Sequence, residues 1–176
     1  DIDVAGRFDI IQISPETNIE DIIVTHVAAS DFLFWIKGTS DRLYIRNGFD
    51  LNGVNANFMV NEIHFSNGVV WDWAAIKARS LLGTEGNDTF FGFDSDDTLI
   101  GGLGNDTIQG GKGADTYIFE KSWGTDRIFD FQSANNIVFK GSIQSSDIKA
   151  SIVGDNLILT HVVTGDNITI AAFGTN

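Results

Sequence analysis

The sequence predicts an all-β chain: a central coil of short strands, two β arms of similar design beside it, and one short helix leading into it. Three observations predict this. A nine-residue period runs unbroken from Gly83 to Ile118. The flanking segments alternate apolar and polar residues between turn signals. The chain of 176 residues sets 24 Asp and Glu against 11 Lys and Arg, for a net charge of −13, and has no Cys. That length bounds it to one domain or two small ones intimately joined. The acidity disfavours nucleic acid and anionic membranes as partners and favours hard cations. Without Cys there are no disulfides, thiolate metal sites or Cys nucleophiles, so a metal is the expected staple.

The first arm reads as strands and turns over residues 8–65. Leu43 and Ile45 alternate with Arg42, Tyr44 and Arg46, and Leu33 and Trp35 share one face of the strand before. Ile63 and Phe65 end another strand, and Asn67-Gly68 marks a tight turn. Asp72 is placed to cap a helix over Trp73 to Ser80.

From Gly83 four nonapeptides follow in phase, starting at Gly83, Gly92, Gly101 and Gly110. Their sixth residue is always Asp (Asp88, Asp97, Asp106, Asp115) and their seventh always Thr. Their eighth is always apolar (Phe90, Leu99, Ile108, Tyr117). Nine residues divide into a six-residue turn and a three-residue strand, and two nonapeptides complete one coil. Turns 18 residues apart therefore stack, pairing Asp88 with Asp106 and Asp97 with Asp115. Glycines at positions one, two and four admit positive φ and close backbone approach, aiming carbonyl oxygens into one hollow with the Asp carboxylate. Such an oxygen set suits Ca²⁺.

The candidate metal set runs along these turns: Gly83, Glu85, Gly86 and Asp88; Gly92, Asp94 and Asp97; Gly101, Leu103, Gly104 and Asp106; Gly110, Lys112, Gly113 and Asp115. Thr84 replaces a glycine in the first turn, and Phe93 and Ser95 replace two in the second; with Asp94, Asp96 and Asp97 the second is expected to be a distorted turn compensated by charge, with a weaker or altered site. No fifth nonapeptide is legible after Ile118, and Asp126 or Asp130 is expected to supply the missing carboxylate.

These nonapeptides resemble the haemolysin-type, or RTX, repeats; Gly101 to Ile108 and Gly110 to Tyr117 fit the pattern at every defined position. Ile63 to Trp71 resembles the segment beside the repeats in many RTX proteins, and Asp126 to Phe131 the one that often follows them. The resemblance implies a right-handed parallel β-roll, calcium in the turns and type I secretion. Roughly two to four Ca²⁺ ions are expected. Three segments follow: 1–82 as an N-terminal β region with its helix, 83–118 as the roll, and 119–176 as a C-terminal cap. The two arms look like copies of one unit, since Asp21, Asp31 and Asp41 recur in spacing as Asp147, Asp155 and Asp166.

Other chemistries find little support. Asp94-Ser95-Asp96 opens like an EF-hand, but Leu99 and Asn105 stand where Gly and Glu are required. Gly111-Lys112-Gly113 lacks the ending of a phosphate loop. His26, His64 and His161 are dispersed, no nucleophile elbow occurs, and the four Trp read as core rather than a sugar platform. The chain opens at Asp1 without Met and reads as a non-enzymatic piece of a longer secreted polypeptide. That parent is expected to be a toxin or adhesin, or else a lipase, protease or polysaccharide epimerase. A glycan or host surface is the alternative partner of the arms.

Overall fold

The computed structural model describes residues 9–28, 31–46, 60–130 and 134–171. Two compact units divide the chain, residues 1–80 and 81–176. In the first, strands β1 (Asp9–Gln12), β2 (Ile22–Ala28), β3 (Asp31–Ile36), β4 (Arg42–Ile45), β5 (Val60–His64) and β6 (Val70–Trp71) precede helix α1 (Trp73–Ser80). They form two three-stranded sheets, β2-β3-β4 and β1-β5-β6. Asp72 caps the helix as expected, its Oδ1 accepting from Ala75 N at 2.9 Å. Gly68 takes φ +84° in the Asn67-Gly68 turn. Leu33 and Trp35 share one face of β3, as expected. On β3 the buried residues are Phe32 and Phe34, with Leu33 and Trp35 only half-buried. Both faces of this strand are apolar, so alternation alone did not say which faces inward.

The second unit holds the coil. Strands β7 (Thr89–Phe91), β8 (Thr98–Ile100), β9 (Thr107–Gln109) and β10 (Thr116–Phe119) are the strand halves of the four nonapeptides. β7 pairs in parallel with β9, and β8 with β10, each in the 18-residue register (Thr89 beside Thr107, Thr98 beside Thr116). The result is a parallel β-roll. The ladders continue into β11 (Thr125–Phe129) on the β9 side and β12 (Asn136–Phe139) on the β10 side. The eighth-position side chains stack inside: Phe90, Leu99, Ile108 and Tyr117 are all 2% exposed or less, and Ile128 joins them. Each such burial stabilises by about 1.5–3 kcal/mol.

An antiparallel meander completes the unit: β13 (Ile148–Val153), β14 (Asn156–His161) and β15 (Asn167–Ile170), with β15 pairing in parallel with β11. It repeats the β2-β3-β4 design. A 3-10 turn (Ile19–Asp21, Ser145–Asp147) opens each. Lys37 N donates to Asp21 O at 2.7 Å, as Val162 N donates to Asp147 O at 2.8 Å. Asp41 N and Asp166 N each donate to a Thr hydroxyl two residues back.

Candidate metal centres

Each turn leans on the one a coil away. Asp106 Oδ1 accepts from Asp88 N at 2.8 Å, and Asp115 Oδ1 from Asp97 N at 2.9 Å. The glycines make this stacking possible. A methyl at Gly83 would overlap the Gly101 carbonyl, and one at Gly92 the Gly110 carbonyl. Methyls at Gly102, Gly104, Gly111 and Gly113 would strike the backbone of the turn below. These last four also hold φ between +97° and +117°, a region that favours glycine.

The other oxygen, Oδ2, sits over position one of its own turn. Next to the Cβ direction of Gly83 lie both Gly101 O and Asp88 Oδ2, and next to that of Gly92 both Gly110 O and Asp97 Oδ2. Asp106 and Asp115 thus reach back one coil with Oδ1, and in the first two turns Oδ2 lies beside a carbonyl of the next coil. In the first two turns Oδ2 is occupied. Thr84 N and Oγ1 donate to Asp88 Oδ2 at 2.6 and 2.8 Å, and Phe93 N donates to Asp97 Oδ2 at 2.6 Å. Asp106 Oδ2 and Asp115 Oδ2 are buried with no hydrogen-bond partner. Their residues are 1% and 0% exposed. Burial is the main cause holding both carboxyls up at about 6.

The turn after the fourth nonapeptide was not legible in the sequence pattern, yet it is there. Residues 121–126 fold as a fifth turn. Ser122 takes φ +68° at position two, alone among the described non-glycine residues in being positive, and Gly124 takes φ +88° at position four. Asp126 Oδ1 accepts from Asp106 N at 2.8 Å, repeating the ladder. Its Oδ2 is buried and unpartnered, and burial foremost raises its carboxyl to about 7. A two-residue insertion, Phe119-Glu120, breaks the period, and Ser122 hides the glycine pattern. On the other side Asn135 Oδ1 accepts from Asp115 N at 2.9 Å, taking the aspartate's place. Asp130 faces Asp115 across Gly110: both carboxylates and the Tyr117 hydroxyl crowd its Cβ direction, and Tyr117 Oη donates to Asp130 Oδ2 at 2.6 Å.

Of the remaining sequence candidates, Lys112 pairs with Asp94 on the surface, and Glu85 and Leu103 side chains are exposed. Among the described residues no three His, Asp or Glu side chains converge as a metal cluster. Any cation here therefore takes most of its ligands from carbonyls, as hard oxygen-loving cations do. The residues present fit Ca²⁺: dry, unpartnered carboxylate oxygens stand over glycine-lined hollows into which carbonyls project. His26 and His161 are buried and Trp71 and Trp123 are 2% exposed, so these side chains serve packing.

The turns and their stacking define a calcium-binding β-roll. The chain carries RTX repeats: residues 80–108 and 91–119 match the RTX calcium-binding nonapeptide repeat (4 copies), and residues 31–75 match the haemolysin-type calcium binding protein related domain. The crystal structure of extracellular lipase LipA from Serratia marcescens is similar at 15% identity and a TM-score of 0.39. The match covers 94% of this chain and 30% of that one, so the chain spans under a third of that protein's length. No curated protein matches. No helix among the described residues is long and apolar enough to cross a membrane.

Proposed function

We propose that this chain is a non-catalytic module of a larger, type I-secreted toxin or adhesin, and that it completes its fold when it binds extracellular calcium. The observation that carries the reading is the row of buried, unpartnered Oδ2 atoms of Asp106, Asp115 and Asp126. Three dry carboxylates without donors destabilise the fold unless protonated or met by a cation. Calcium supplies that counter-charge when bound. The residues that would hold it are the Asp carboxylates of the stacked turns, Asp130 beside Asp115, and the backbone oxygens of the turns from Gly83 to Asp115.

Extracellular calcium modules bind at roughly 10⁻⁴–10⁻³ M, far above cytosolic calcium. The chain would stay loosely folded in the cytosol and complete its fold outside, because binding free energy becomes folding free energy. In this reading residues 83–118 are the metal-driven roll, 1–82 a flanking β region, and 119–176 the cap. A secreted lipase, protease or epimerase as parent would use the module in the same way.

Circular dichroism over a calcium titration from EDTA tests the proposal. The expected result is a rise in β signal and in melting temperature, with Mg²⁺ a poor substitute because it demands tighter octahedral geometry. A spectrum and melting temperature that ignore calcium would overturn it.

A further inference from the structure

We infer that a further cation site lies outside the nonapeptides, between the fifth turn and the meander, with Asp126 and Asp166 as its carboxylate ligands. The inference rests on the calcium reading of the repeats and extends it to a residue that no repeat contains.

The geometry follows from the ladder. In the first two turns Oδ2 of the sixth-position Asp lies beside a carbonyl of the layer that follows. The layer that follows the turn of Asp126 is β15, which pairs with β11 on the side away from β9. The strand is tightly seated: Asn167 N donates to Gly124 O at 2.8 Å and Asn167 Nδ2 to Thr125 Oγ1 at 3.1 Å. Thr125 and Asn167 are register partners, which puts Asp166 beside Gly124 of the fifth turn.

Both carboxylates are incomplete. Asp126 is 1% exposed, and its Oδ2 has no partner. Asp166 Oδ2 is also buried and unpartnered; outside the turns it is the one carboxylate oxygen in that state among the described residues. Burial, then the charge of Asp106, then that of Asp166 hold the Asp126 carboxyl up. Two buried like charges with no donor between them call for a cation. The sequence-equivalent aspartate of the first meander, Asp41, is exposed instead. The same turn has therefore been turned inward only where it meets the roll. An ion there would clasp β14 and β15 to the last coil.

The test compares the intact chain with Asp166→Asn, Asp166→Glu and the control Asp41→Asn. Calcium is counted by titration calorimetry, and amide exchange is read in saturating calcium. Asp166→Asn is expected to bind one ion fewer and to lose protection in β14 and β15 while β7 to β10 stay protected, which shows that the roll has folded. Asp41→Asn should match the intact chain. Asp166→Glu, which keeps a carboxylate, should restore the ion with a several-fold higher midpoint. An Asp166→Asn chain with the full ion count and protection would overturn the site and leave the repeat reading standing. So would an Asp166→Glu chain that loses the ion as completely as Asp166→Asn. An intact chain that binds no calcium would overturn both.

Discussion

The first two turns and the three that follow share one six-residue pattern and treat their aspartates in opposite ways. In the first two, position two is Thr84 or Phe93, neither takes positive φ, and its N–H points at the carboxylate. In the later turns position two is Gly102, Gly111 or Ser122, all in the left-handed region, and Oδ2 finds no donor. One backbone conformation thus decides whether a protein N–H completes the carboxylate or its Oδ2 is left open. On the proposed calcium reading the opening turns are caps, closed by their own hydrogen bonds. On the same reading the later turns, with Oδ2 open, are sockets.

The sharpest way to break this comparison is at position four. Gly104 holds φ +117° with the Gly86 carbonyl in its Cβ path, while Gly86 has nothing nearer than Thr84 Oγ1 at 3.7 Å and no positive φ. Gly104→Ala should destabilise the calcium-loaded chain by about 2–3 kcal/mol or prevent folding. Gly86→Ala should cost less than about 1 kcal/mol. Urea unfolding in saturating calcium measures both. Equal losses would mean that the turns are built alike.

The next effect is on calcium itself. Asp106 holds Asp88 N with Oδ1 and keeps Oδ2 buried and unpartnered, whereas Asp88 Oδ2 is already satisfied. Asp106→Ala is expected to raise the calcium midpoint about tenfold or more, equivalent to about 1.4 kcal/mol. Asp88→Ala should raise it only about two- to threefold, mainly by loosening its own turn. A dichroism titration of the two variants decides, and the reverse order would refute the division into caps and sockets.

Acid gives a third contrast. In the calcium-free fold the carboxyls of Asp106 and Asp115 stand at about 6 and that of Asp126 at about 7, against about 3.9 in an unfolded chain. The folded state then binds more protons than the unfolded one between about pH 4 and 7. A raised folded value contributes stability at low pH that is lost as pH rises through it. In EDTA the roll should melt higher at about pH 5 than at about pH 7.5, with protons standing in for calcium. With calcium saturating, the order should reverse, because protons then compete for the same oxygens. Melting curves at the two pH values, each with and without calcium, check both signs.

Much of this was readable in the amino acids. The nine-residue period gave the coil and the 18-residue stacking of aspartates, because a strict period over four copies leaves one way to wind. Asp72 and Asn67-Gly68 marked their helix and turn, and the recurring aspartates marked the duplicated meander. The fifth turn escaped because Ser122 adopts a conformation that its identity does not announce, two residues out of phase. Asp166 escaped for a different reason. Its position in the chain matches the exposed Asp41, while Asp166 is half-buried with its Oδ2 covered where β15 docks on β11. Local patterns carry local geometry, and burial by a partner strand is not local.

The smallest expected effect is also the most discriminating, because it tries to turn a cap into a socket. Thr84 donates twice to Asp88 Oδ2, from N and from Oγ1. Thr84→Gly deletes the hydroxyl's bonds and frees the backbone to take the left-handed conformation of Gly102 and Gly111. In EDTA the change should cost about 0.5–1.5 kcal/mol, from the hydroxyl's two lost hydrogen bonds, to Asp88 Oδ2 and from the exposed Gly86 N, and from added chain entropy. In calcium the loss should shrink or vanish, because the freed Oδ2, with the Gly101 carbonyl beside it, becomes available to an ion. Urea unfolding of Thr84→Gly and the intact chain, with and without calcium, isolates the difference as a coupling between residue and metal. A penalty of the same size in both conditions would mean that the N–H at position two is not what keeps calcium out, and the distinction between the opening turns and the rest would have to rest on position alone.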